Sequence, residues 1–325
     1  MSKSDYLSKE TTINLKGIFA IVILLGHLKN STPMLVGTTL GNLISVWAYL
    51  VVGGFFFFSG YGMCLQFSKK HEDYIKNFPA KRMLPLYISC IIFSLIYVIR
   101  DTINGRFDFL TLIKAILIPG SGISFGWYIE ATFIIYIFFW LFFLLLPKTN
   151  RILGFSIVSV LYLAIAFLFL PQLWFQSFGG FILGFIWCEY KDKIDKATSK
   201  KSIHIVSTVL SSICFIITFY LGNLNSIEDS IISKIALFLS VFAFISTILL
   251  VLKFFSINNP VTNALGTISL EIYCLHGFVI DLYSTFVLNQ TSPIIFWALT
   301  IVTTIICSII LNIIIKKLLS LLKIK

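Results

Sequence analysis

The chain has 325 residues, 58% of them hydrophobic and only 12% charged, with a mean hydropathy of +0.96. That balance excludes a soluble core and describes a polytopic membrane protein. The net charge of +11 needs no nucleic-acid partner, because the basic residues concentrate in short loops between apolar runs, as positive-inside sorting expects.

Windows of about 20 apolar residues place about ten spans, at about 13–28, 42–67, 83–99, 127–146, 151–170, 173–189, 203–222, 231–252, 264–288 and 293–315. The loops and tails on the N-terminal side carry 19 Lys plus Arg against 5 on the other side. Both termini are therefore expected in the cytoplasm. Residues 1–325 read as one all-α membrane domain, a transmembrane helical bundle in a bacterial inner or plasma membrane. The first apolar run has no small-residue cleavage site after it and reads as a retained anchor. The six cysteines fall inside expected spans without CxxC spacing, and read as small buried apolar residues.

The first span, INLKGIFAIVILLGH, carries Lys16 and His27. At about 100° per residue an offset of 11 returns the second side chain to within about 20° of the first, roughly 16 Å further along the axis. Ala20 and Ile23 lie on the stripe between them. Ionisable groups inside a span are costly and therefore candidates for function. The alternative is a snorkelling or core-paired residue.

The second span contains VVGGFFFFSGYGMC, in which Gly53, Gly54, Ser59, Gly60 and Gly62 let a helix or an extended ligand approach the backbone. Phe55 to Phe58 read as lipid-facing or core bulk. The next loop, SKKHEDYIKNFPAKRMLPLY, is the most basic. Lys81 and Arg82 end it at the mouth of the third span, where a phosphate-bearing cosubstrate from the cytoplasm would meet them. Arginine suits phosphate through its bidentate fork.

Residues 100–126 form an outer loop too long for a simple hairpin. Its FDFLTLIKAILI segment is too short to cross and reads as an interfacial or re-entrant helix. PGSGISFG then bends the chain, and the loop is the natural place for an extracytoplasmic acceptor. WYIEATF follows, with Trp127 and Tyr128 as belt residues and Glu130 one turn inside, at the depth of His27. Glu130 either orients the imidazole, as in triad-like sites, or faces water in a vestibule. Further on, Glu189 is expected to pair with Lys191 or Lys193, and Glu228 with Asp229 to be a solvated outer pair. In the ninth span Ser269, Tyr273 and His276 share a face. His276 is either a satisfied core residue or part of a site. Glu271, on another face, is expected to meet Lys253 or Lys316.

These motifs in order resemble the acyltransferase-3 family of integral membrane O-acyltransferases. The resemblance rests on Lys16 and His27 with ten residues between, FFFFSGYG in the second span, KRMLPLY before the third, WYIEATF at the fourth, and LGTISLEIYCLH in the ninth. It covers about residues 13 to 315. It implies transfer of an acyl group, usually acetyl, from acetyl-CoA in the cytoplasm to a hydroxyl of an outer or lipid-linked glycan, within the lipid bilayer and without a metal. It also implies His27 as general base with Glu130 orienting it, Lys16, Lys81 and Arg82 on the donor phosphates, and Ser59, Trp127, Tyr273 and His276 as substrate-contacting or structural polar residues. Lys16 stands where the family has Arg, which loses the bidentate fork. No fused esterase-like domain follows the tenth span, so a later handing-on of the acyl group is expected to need a separate protein. A different class, a transporter or flippase of a glycolipid or small anion, would use the same intramembrane charges, but inverted repeats and paired broken helices are not visible in the sequence. A scaffold for a glycan-assembly complex is the third reading. Oligomeric state is left open.

Overall fold

A computed structural model describes residues 5–32, 38–224, 230–255, 257–286 and 292–324. Glu228 and Asp229 lie outside them. Every regular element among the described residues is helical: α1 (Lys9–Asn30), α2 (Thr39–Phe78), a π-helical turn (Pro79–Met83), α3 (Leu84–Ile103), α4 (Phe109–Leu117), α5 (Trp127–Leu145), α6 (Arg151–Phe169), α7 (Gln172–Ser177), α8 (Gly179–Ala197), α9 (Lys201–Gly222), α10 (Ile231–Leu252), α11 (Pro260–Thr267), α12 (Ser269–Phe286) and α13 (Pro293–Leu321). Helix starts follow local chemistry. Asp108, Asn150 and Ser230 accept hydrogen bonds from the first free N–H groups of α4, α6 and α10, and Pro293 opens α13 behind Ser292.

Among the described residues seven helical stretches are long and apolar enough to cross a bilayer, or eight if α11 and α12, bent by 76°, make one crossing together. One of the seven runs from Trp47 to Ile103, 57 residues. At 1.5 Å per residue it would extend about 85 Å, far beyond one bilayer core of about 30 Å. Its backbone breaks at His71 (φ 44°, ψ −121°), between the two spans expected there. The stretch expected as 173–189 is divided at Phe178 into α7 and α8. The last turns of α8 carry Glu189, Lys191, Asp192, Lys193, Asp195 and Lys196.

The chain divides into two compact units. The first comprises residues 1–19, 49–72 and 149–263. Here α2 and α8 meet through glycines: a Cβ on Gly180 would strike the carbonyl of Gly53, and one on Gly184 would strike that of Phe57. Such small-residue seams let backbones close up where lipid offers no hydrophobic drive. Beside the seam Phe155 stacks on Phe185 (4.4 Å) and Phe178 on Phe181 (5.1 Å). Phe56 and Phe57 are core, whereas Phe55 and Phe58 border Phe19.

Between α9 and α10 short polar side chains reach across. Ser211 Oγ donates to the Ala243 carbonyl (3.0 Å), and the His204 Nε2–H to that of Leu250 (2.8 Å). The other face of α9 presents Val206, Leu210, Ile213, Ile216 and Ile217 outward, a surface suited to lipid and unsuited to water.

Ion pairs differ from the sequence expectation. Glu189 is held by Arg151 of α6 through both carboxylate oxygens (2.9 and 2.7 Å), not by Lys191 or Lys193. Lys191, two residues on, points elsewhere on the helix and joins Asp195 (2.9 Å). Lys253 also goes to Asp195 (2.5 Å), and so does the Tyr6 hydroxyl (2.9 Å). Burial pushes the Asp195 carboxyl up, but the hydrogen bonds from Lys253, Lys191 and Tyr6 outweigh it and hold the group below the ordinary aspartate range.

The second unit comprises residues 20–48, 73–148 and 264–325. Leu24, Leu28, Ile280 and Phe296 form one core, and Trp297 Nε1 donates to Thr32 Oγ1 (2.8 Å). A second, aromatic core gathers Tyr74, Phe78, Tyr136 and Phe139. Along α13, Thr300, Thr304 and Ser308 repeat every four residues and are fully buried, the small-residue stripe that a close helix neighbour requires. Glu271 is buried and accepts from Asn312 Nδ2 (2.7 Å), with Lys316 adding its charge nearby, whereas Lys253 is engaged by Asp195. The short helix α4 is nine residues, about 14 Å long and unable to cross. Its Phe109, Leu110, Ile113, Ile116 and Leu117 are exposed, as for a helix lying in a membrane interface.

Candidate active site

Three elements of the second unit converge on His27. α1 runs unbroken from Lys9 to Asn30, so regular helix geometry sets the direction of the imidazole. α12 begins after the sharp bend that follows Thr267 and brings Tyr273 and His276 onto one face. The turns 118–126 carry Phe125 inward.

The His27 and His276 rings lie 4.9 Å apart, centroid to centroid. Phe125 stacks on His27 at 3.7 Å and lies 5.6 Å from His276, nearly parallel to it. Tyr273 is 5.7 Å from His276 and 5.5 Å from Tyr128, and its hydroxyl donates to the Phe125 carbonyl.

Each histidine has a buried nitrogen without a partner: Nδ1 of His27 and Nε2 of His276. His276 is fully buried. Its Nδ1 sits 3.2 Å from the Ile272 carbonyl, which can only accept, so Nδ1 carries the hydrogen and the neutral ring presents its lone pair at Nε2. Buried polar atoms are nearly always satisfied, and exceptions mark places where a ligand or water belongs. Two in one imidazole pair suit proton transfer to or from a bound group.

The other residues singled out in the sequence divide between this cluster and the rest of the fold. Tyr273 belongs to the cluster. Trp127 and Glu130 open α5 beside it, both half-buried. Among the described residues no hydrogen bond or ion pair joins Glu130 to His27. A Cβ on Gly120 would come within 3.0 Å of Glu130 Cγ, so the carboxylate arm lies against the loop. Similar depth left the direction around the helix axis open, and His276 is the polar ring beside His27 instead. Ser59 donates to the Phe55 carbonyl one turn back (3.2 Å), which satisfies it within α2. Lys16 lies 5.4 Å from the Phe58 ring. Ala20 and Ile23 are each 1% exposed, so the stripe between Lys16 and His27 is covered by protein. Lys81 and Arg82 are exposed on the π-helical turn, a distortion frequent at functional sites. Sequence reading missed Phe125. The signal was present in its setting, a lone aromatic between Gly122 and Gly126 in the turn leading to α5.

Apolar helices that bring two imidazoles side by side, each with an uncommitted nitrogen, define a membrane protein built for chemistry within its helices. The chain belongs to the acyltransferase-3 family: the family model described as an acyltransferase domain matches residues 13–313. It is therefore a multi-pass membrane acyltransferase. No curated protein and no solved structure matches it.

Proposed function

We propose that this acyltransferase moves acetyl from cytoplasmic acetyl-CoA to a hydroxyl of an extracytoplasmic or lipid-linked glycan, in the plasma membrane of a bacterium. Ten crossings with both termini inside fit the basic-residue asymmetry of 19 against 5. That count takes Trp47–Ile103 as two crossings around His71, α7 with α8 as one, and α11 with α12 as one.

The observation that carries the reading is the His27–His276 pair with its two unpartnered nitrogens. His27 acts as general base. It takes the proton of the acceptor hydroxyl while that oxygen bonds to the thioester carbonyl carbon, the carbon–sulfur bond breaks, and the departing CoA thiolate takes up the proton. Positioned proton transfer of this kind is typically worth about 10²- to 10⁴-fold. His276, with Nε2 free to accept, steadies the proton that His27 gains, a task that the family resemblance gave to Glu130. The exposed Lys81 and Arg82 supply charge for the donor phosphates, Arg82 through its planar fork. Lys16, two turns into α1, keeps the charge of the family's Arg without its fork. Passage of the donor along the Ala20 face requires the covering side chains to part.

The test is a strain lacking the chain, complemented with wild type, His27→Ala or His276→Ala at equal membrane levels, with acetyl esters on the surface glycan measured by mass spectrometry. Loss of about 100-fold or more is expected for His27→Ala. Unchanged acetylation would remove His27 from the chemistry. A transporter or flippase would leave isolated membranes without any acetyl-CoA-dependent labelling of glycan.

A further inference from the structure

Phe125 is out of place by ordinary rules. It is a bulky residue in the left-handed region (φ 63°), where non-glycine residues are uncommon and large ones are outliers that persist only when their surroundings hold them. The residue as a whole is 42% exposed, yet its ring centroid lies 3.7 Å from that of His27.

Three features hold it there. The Tyr273 hydroxyl donates to its carbonyl. Gly277 leaves room for it: a Cβ at that position would come within 2.7 Å of Ser124 Cβ, 3.1 Å of Tyr97 Oη and 3.2 Å of Phe125 Cδ2. Finally, a Cβ on Gly126 would strike the Gly120 carbonyl, so the turn before α5 closes tightly on itself. Tyr273 and Gly277 flank His276 in α12, so the helix that supplies the second imidazole also fixes the ring over the first.

We infer that Phe125 is the cover of the imidazole pair, a positioning residue whose ring keeps water from His27 until the acceptor's own ring takes its place. An aromatic face suits that exchange. Its flat apolar surface excludes water and matches the apolar face of a sugar ring, and the outward exposure leaves the ring a direction in which to move. Water held away from His27 is water that cannot replace the acceptor hydroxyl. The inference rests on the proposed glycan acceptor for the exchange of rings and on acetyl transfer for its consequence in turnover, while the covering itself is a matter of access.

Membranes carrying the full chain are treated with diethyl pyrocarbonate, which acylates reachable imidazoles, and each histidine peptide is quantified by mass spectrometry. His71, exposed, calibrates the reagent, and buried His204 reports loss of folding. Phe125→Gly suits the φ of 63° and removes only the ring. It is expected to raise His27 labelling by about tenfold with His204 unchanged. Phe125→Tyr, which keeps the ring, is expected to label as wild type. Gly277→Ala, whose methyl would crowd Ser124 and the Phe125 ring, is expected to raise His27 labelling in the same direction and decides the matter should His204 labelling rise in Phe125→Gly. Unchanged His27 labelling in both Phe125→Gly and Gly277→Ala overturns the inference. With acetyl-CoA as probe, the same Phe125→Gly membranes are expected to release more CoA per acetyl ester formed. If wild-type membranes form no ester while His27 labelling still rises in the variant, the transfer reading fails and the cover stands.

Discussion

The α2–α8 seam permits a comparison between two chemically identical substitutions. In Gly180→Ala the new methyl would overlap the Gly53 carbonyl oxygen and lie 2.7 Å from its carbon and 3.1 Å from its Cα. All three are backbone atoms of a neighbouring helix, so no side-chain rotation relieves them and the helices must part. Overpacking of a closed core costs about 1–3 kcal/mol. Because the obstruction is backbone, the upper end applies, and alanine's better helix propensity returns about 1 kcal/mol, leaving a loss of about 2 kcal/mol. In Gly62→Ala, on α2, the methyl meets nothing within 4 Å. Only the propensity gain remains, about 0.5–1 kcal/mol of stabilisation. The two variants should therefore differ by about 3 kcal/mol in opposite directions from wild type. Denaturant titration in mild detergent, followed by tryptophan fluorescence, reads the difference as a shift in midpoint at constant slope. Coincident midpoints for Gly180→Ala and Gly62→Ala would show that the seam is not in van der Waals contact, and the packing argument would fail.

Asp195 should shape the acid limb of stability. Its folded-state pKa is depressed by the lysine and tyrosine hydrogen bonds that outweigh its burial, so its contribution is fully present above the ordinary aspartate range and lost as pH falls through the folded value. Asp195→Asn should flatten that limb while lowering stability near neutrality, read from unfolding midpoints across a pH series; parallel profiles would contradict the assignment. For the donor, Arg82→Ala should raise KM for acetyl-CoA by about 10-fold or more with kcat little changed, the pattern of a lost phosphate contact. Arg82→Lys should recover part of it. A fall in kcat at constant KM would place Arg82 nearer the reaction than the phosphates.

Much of the architecture could be read from residue order, because apolar run lengths and helix starts are local properties. The short helix in the outer loop and the unbroken first helix followed from composition and spacing, whereas the stretch 68–82, expected as a loop, is helical apart from the single backbone break at His71. Partners were harder. Periodicity says which residues share a face of one helix, not which face of which neighbour it meets. Glu189 therefore found Arg151, thirty-eight residues earlier in the chain, rather than a nearby lysine, and Glu271 found Asn312. The same limit explains the site. His27 and His276 were each visible as polar residues in apolar spans, yet their meeting depends on the bend before α12. Phe125 depends on a backbone angle that composition does not reveal.

The Ile272 carbonyl has a consequence for how His276 can work. A half-turn of the ring would give up that contact inside a fully buried setting, so the ring keeps one edge for its helix and one for the site. A hydrogen ion that reaches the inner edge must leave from the same edge. Under the proposed mechanism His276 can therefore serve His27 through that one edge only, steadying the proton His27 holds, and offers no second edge through which to relay protons across the membrane.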